Sequence, residues 1–200
     1  MQIQEMRDRD MEQREHRTGR DSTGKGRAER ADKGRDRGVG RRVALYGLLL
    51  ALAMVFSYVE TLIPIYLGAP GVKLGLANLV TVTGLYTIGV RGTVQVNLAR
   101  IVLAGWAFGN MFSIIYSLAG AALSLLLMLL CKKIGGFGII GVSVIGGVGH
   151  NIGQLLIAAF VVKTFAVFTY LPVLLVAGTI AGALIGLLGG IVVERIRRYV

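Results

Sequence analysis

The stretch GGVGHNIGQLL (146–156) decides what kind of fold this chain adopts. It sits inside an apolar run covering 138–162, and a helix needs about 20 residues to cross a bilayer core. Yet the run carries a histidine, an asparagine and a glutamine. At helical spacing His150, Asn151 and Gln154 share one face. Near mid-span each would lose its hydrogen-bond partners if that face met lipid. Gly149 and Gly153 stand four apart, the spacing that lets helix backbones approach closely in a membrane. The segment therefore reads as a membrane helix buried in a bundle, with glycines for packing and polar groups turned inward.

The same composition extends outward in both directions. Of the 200 residues, 54% are hydrophobic, which is too many for an ordinary soluble domain. From residue 43 onward the only acids are Glu60 and Glu194, and no aspartate follows Asp36. Six apolar segments can be read, at 43–63, 74–90, 92–109, 111–131, 138–162 and 171–193. The sequence thus predicts an all-α integral membrane bundle of six transmembrane helices over 43–200. Its second and third segments are the shortest and the most polar. Six crossings place Arg41, Arg42, Arg91, Lys132, Lys133, Arg195, Arg197 and Arg198 on one side, with Lys73 and Lys163 on the other. By the positive-inside rule both termini are then cytoplasmic.

Residues 1–42 mix both signs of charge and hold few large apolar side chains. Such a segment cannot bury enough surface to offset its ordering entropy, so a disordered cytoplasmic tail is expected. Its interleaved acids cancel much of its attraction for nucleic acid, and no nucleic-acid partner is expected. GRDSTGKG (19–26) approaches the phosphate-loop pattern but lacks the closing Ser or Thr and the flanking strand and helix. The single cysteine, Cys131, excludes an internal disulfide.

Small residues explain how the spans pack. Gly178, Gly182, Gly186 and Gly190 form a four-residue repeat on the last span, matched by Gly149 and Gly153 on the fifth. Polar residues need another explanation. Arg100 lies about 12 Å along the third span from its cytoplasmic end, three residues after Asn97. A charge at that depth must be paired or face water. Asn78 and Thr81 stand three apart on the second span. These residues predict a substrate pocket of Lys73, Asn78, Arg100, His150, Asn151 and Gln154, joined at its edge by Lys163. Cationic groups dominate it, which suits a carboxylate or phosphate ligand with an apolar part. The apolar loop ETLIPIYLGAPGVK (60–73) could fold over the bundle as a lid, with Glu60 and Lys73 paired across its base. The duller alternative is an interfacial segment. No metal site is expected, because His150 lacks a partner ligand at suitable spacing. No cofactor is implied, and a proton relay would want more intramembrane acids than the spans hold.

Three stretches, ALYGLLLALAMVFSYVETLIP (44–64), PGVKLGLANLVT (70–81) and GVSVIGGVGHNIGQL (141–155), together with the buried Arg100, resemble the Gx transporter family. That family is also labelled heptaprenyl diphosphate synthase component I. It is similar in size, span count and glycine content to the S components of energy-coupling-factor transporters. The resemblance implies a multi-pass protein of the bacterial cytoplasmic membrane that captures a small-molecule substrate from outside. Its partners would be a transmembrane coupling subunit with ATPases, or, on the second label, a catalytic prenyl synthase subunit of menaquinone side-chain synthesis. Prenyl elongation needs aspartate-rich motifs that hold magnesium. A membrane domain without aspartate argues against catalysis by this chain alone.

Overall fold

In the computed structural model, residues 39–62 and 75–199 are described. The chain divides into two compact units at Leu45/Tyr46, and the described part of the first, residues 39–45, is helical. The described residues form six α-helices and one short 3-10 helix, with no strand among them. The helices are α1 (Val39–Leu62), α2 (Asn78–Thr87), α3 (Gly89–Phe108), α4 (Met111–Ile134), α5 (Ile139–Val162) and α6 (Leu171–Tyr199). The all-helical bundle expected from the apolar segments is what is observed. Of the tail expected over 1–42, residues 1–38 lie outside the described residues and 39–42 are helical; of the lid expected over 60–73, residues 63–73, including Lys73, lie outside them.

Four helical stretches are long and apolar enough to cross a membrane: Val39–Leu62, Met111–Ile134, Ile139–Val162 and Phe165–Ile196. The chain is a membrane protein. Trp106, Phe160 and Phe165 are more than three-quarters exposed, as suits side chains that meet lipid or its interface.

α2 and α3 differ from these four. α2 has ten residues, so it rises only about 15 Å, half of a hydrocarbon core. Its first eight residues are nonetheless buried. It is an interior piece of the bundle, shielded from lipid by its neighbours. Thr93 Oγ1 of α3 lies against Gly84, and Val82 and Leu79 approach Gly189 of α6. Lys132 Nζ on the last turn of α4 donates to the Leu85 carbonyl at 3.1 Å and sits 4.4 Å from the Tyr86 ring centroid. That cation caps carbonyls which the helix end would otherwise leave orphaned. α3 follows through Gly89, whose φ of +76° is a conformation that glycine adopts without strain.

α4, α5 and α6 form an antiparallel set held by backbone proximity. A Cβ on Gly153 would fall 2.6 Å from the Ala119 carbonyl oxygen of α4, and one on Gly149 would meet Leu123 and Ser124 of the same helix. On α6, Gly178, Gly182 and Gly186 press on the α5 backbone at Gly147, Val144 and Ile140. Gly190 has nothing within 4 Å of that position, whereas Gly189 faces Val82 of α2. Helical geometry accounts for the change. Steps of four residues advance about 40° beyond a full turn, so the fourth glycine has rotated off the α5 face.

Candidate functional site

The site is built where α2 begins. Its first residues lie beside the middle of α5 and α6: Gly75, Asn78, His150 and Ile185 line one small cavity of about 10 Å³. The first N–H groups of α2, those of Asn78, Leu79 and Val80, donate to the carbonyls of Gly75, Leu76 and Ala77. Just before the helix, Glu60 on α1 accepts at Oε1 from the Leu76 N–H at 2.5 Å.

Two further cavities adjoin that helix start. One, of about 20 Å³, lies between Glu60, Asn78, Thr81, Asn97, Arg100, Ser117 and His150. The other, of about 30 Å³, runs from Ser57, Glu60 and Arg100 past Ile101 and Ala104 to Phe108 and Ser113. Glu60, Arg100 and Ser117 line both, and Asn78 and His150 link the first to the cavity by α6. The result is a branched hollow, polar at its centre and apolar toward the α3–α4 turn.

Arg100 stands at that centre with 8% of its surface exposed. Nη1 donates to Ser57 Oγ at 3.2 Å, while Nε has no partner among the described residues. Glu60 attracts it electrostatically. Asn78 is likewise buried, and its Nδ2 has no partner among the described residues. Thr81 and Asn97 satisfy each other across α2 and α3, at 3.0 and 3.1 Å. That pairing sets the register by which Arg100, one turn beyond Asn97, reaches the hollow.

The other expected site residues divide. His150 lines the hollow and rests on Gly120, where a Cβ would lie 2.8 Å from its ring atoms. Asn151 lines only the cavity by α6, and its Nδ2 donates to the Leu174 carbonyl at 2.9 Å, tying α5 to α6. Gln154 is buried against Gly120 and lines none of the three cavities. Lys163 is exposed at the left-handed C-terminus of α5, away from them. Ser57 and Gly120 join the site with no sequence signal of their own, since they resemble ordinary small packing residues. Glu60 lines the hollow, and its expected pairing with Lys73 at the base of a lid falls outside the described residues.

A family model for heptaprenyl diphosphate synthase component I matches residues 49–192. The chain belongs to the heptaprenyl diphosphate synthase component I family. Comparison with curated proteins and with solved structures finds no match. The component I match begins within α1 and ends within α6, so it takes in every residue of the hollow. It leaves out residues 1–48. Among the described residues no group of His, Cys, Asp or Glu could hold a metal ion.

Proposed function

We propose that this chain is an S-component-like membrane binding protein that captures a small anionic or amphiphilic solute from the outer face. The charged end of the solute is held between Arg100, Asn78 and the start of α2, and its apolar part lies along Ile101, Ala104 and Phe108. One observation carries this reading: Arg100 is a buried guanidinium that lines the hollow, and its Nε has no partner among the described residues. On insertion scales an arginine at mid-membrane costs about 2.5–3.5 kcal/mol, a burden that a packing role does not require. Both termini and the charged segment over 1–42 are placed in the cytoplasm, with the hollow reached from the opposite face. A transmembrane coupling subunit and ATPases are the partners this reading draws on.

Family membership favours a second reading. Here the chain is a non-catalytic membrane subunit of heptaprenyl diphosphate synthase in menaquinone side-chain formation. The name component I itself implies a partner component. With no aspartate after Asp36, the diphosphate chemistry falls to that partner. The same hollow then presents an amphiphilic diphosphate.

Native mass spectrometry of the protein released from its own membrane in mild detergent tests both readings. The wild type is expected to carry a small anionic molecule, and Arg100→Ala to lose it while keeping wild-type helicity. Retention of that molecule by Arg100→Ala at the wild-type level refutes the site. Co-purification of a catalytic prenyl synthase selects the second reading, and that of a coupling ATPase the first.

A further inference from the structure

We propose that α3 turns a self-complementary face to the bilayer, and that two copies of this chain pair there with Gln95 of one against Gln95 of the other. The inference is independent of any ligand and needs only that the chain is a membrane protein.

Helical phase defines the face. Gln95, Leu98, Val102 and Trp106 recur at intervals of three and four residues, so they form one stripe along α3. All four are exposed, Leu98 by 48% and Val102 by 54%. Asn97 and Arg100 are buried on the other side of the helix. α3 is also outside the set of stretches apolar enough to cross a membrane, so it is poorly suited to meet lipid unaided.

Three side chains of the stripe are at home in lipid, and the glutamine is not. Gln95 lies about 9 Å from the start of α3 and about 20 Å from its end. Gly105 of α3 lies against Ile114 of α4. That register puts Gln95 level with the middle of α4, with Lys132 and Lys133 about 12 Å farther along. Long basic side chains regain the headgroups by stretching along their stems, but a glutamine is too short to do so from this depth. A carboxamide facing hydrocarbon loses its hydrogen bonds to water, and that of Gln95 has no partner among the described residues. Residues 1–38 are densely charged, a composition unsuited to mid-membrane. Residues 63–74 join α1 to Gly75, and both Glu60 and Gly75 line the hollow, which Asn97 and Arg100 also line.

Symmetry names the occupant. A carboxamide both donates and accepts, so it can pair with a copy of itself. Copies inserted by one charge bias share an orientation, and the axis relating two of them runs along the bilayer normal. A face near that axis then meets the same face at the same depth. A second copy therefore supplies a matching amide without further conditions, whereas a partner of different sequence must carry its own at the same level. Two N–H···O bonds satisfy both amides, and such bonds hold helices together in lipid. Leu98 and Val102 pack beside the pair, while Arg91 at the start of α3 can turn its charge toward the headgroups.

The test counts copies by single-molecule photobleaching of the full chain, labelled at its C-terminus, in phosphatidylethanolamine–phosphatidylglycerol liposomes. Wild type is expected to pass from two copies to one as it is diluted into lipid. Gln95→Leu should keep wild-type helicity and need a density at least about tenfold higher to pair. Gln95→Asn retains a carboxamide and should pair at a lower density than Gln95→Leu. Under mild oxidation Leu98→Cys should cross-link to its own copy. Wild type, whose Cys131 is buried, should not, and neither should Leu126→Cys, exposed on α4. The inference is overturned by single copies of wild type at every density, by pairing of Gln95→Leu equal to wild type, or by loss of helicity in that variant. Equal cross-linking of Leu126→Cys and Leu98→Cys also overturns it, as does cross-linking of Leu98→Cys in native membranes to a different protein alone.

Discussion

Two glycines on α6 that look equivalent in sequence should respond oppositely to alanine. At Gly182 an added Cβ would sit 2.6 Å from Val144 Cα and 2.9 Å from the Ser143 carbonyl oxygen. Carbon atoms in contact prefer about 3.5–4.0 Å, so Gly182→Ala must push α5 and α6 apart by about 1 Å. The obstacle is backbone, which cannot rotate away as a side chain would. Overpacking of this kind costs about 1–3 kcal/mol. The separation also strains the Asn151 hydrogen bond to Leu174, now 2.9 Å. Gly190→Ala meets nothing within 4 Å and gains helix propensity of up to about 1 kcal/mol. Both variants make the same propensity change, so it cancels in the comparison and leaves the contact energy. Reversible unfolding of the two variants in mixed micelles, followed by helix circular dichroism, should place Gly182→Ala about 1–3 kcal/mol below Gly190→Ala. Equal midpoints, or a more stable Gly182→Ala, would show that the two helices do not approach as described.

Other outcomes follow from single contacts. Lys132→Met removes the cap on the Leu85 carbonyl and the contact with Tyr86. It should lose about 1.5–3 kcal/mol, with hydrogen exchange accelerating over the last turn of α2 more than in α4. A reporter fused after Val200 should signal from the cytoplasm, and a signal from the outer side would invert the proposed topology.

Most of the fold was legible because lipid imposes a simple code. Long apolar runs ended by charge, glycine or proline became α1, α4, α5 and α6, and the small-residue repeats on α5 and α6 became their contacts. α2 was legible as a helix but not as a half-length one. The run 74–90 is apolar enough to suggest a crossing, and only the observed position of Asn78 beside His150 shows that it begins inside. The site was legible in part for a similar reason. Helical phase put His150, Asn151 and Gln154 on one face, yet a face is wider than a cavity. Asn151 is occupied by Leu174 and Gln154 by Gly120. Glu60 was read as the one acid within reach of the pocket, and its suggested pairing with Lys73 falls outside the described residues. The groups it faces, Leu76 and Arg100, depend on how α1 packs across α2 and α3, and spacing along one helix carries no such information.

The division between the two kinds of helix has a physical logic. α2 and α3 fall outside the set of candidate spans, and they carry the polar groups Asn78, Thr81, Asn97 and Arg100. Irregular backbone and buried charge are tolerated at membrane depth only where protein or an aqueous hollow surrounds them. The four apolar stretches can therefore face lipid while α2 is enclosed by its neighbours and α3 turns Asn97 and Arg100 inward and Leu98, Val102 and Trp106 outward, and the polarity that keeps α2 and α3 out of the candidate spans supplies the donors of the hollow. A more apolar α2 would be better suited to lipid, but it would forfeit the interior helix start. The stability given up there is consistent with a site selected for holding a ligand rather than for packing alone.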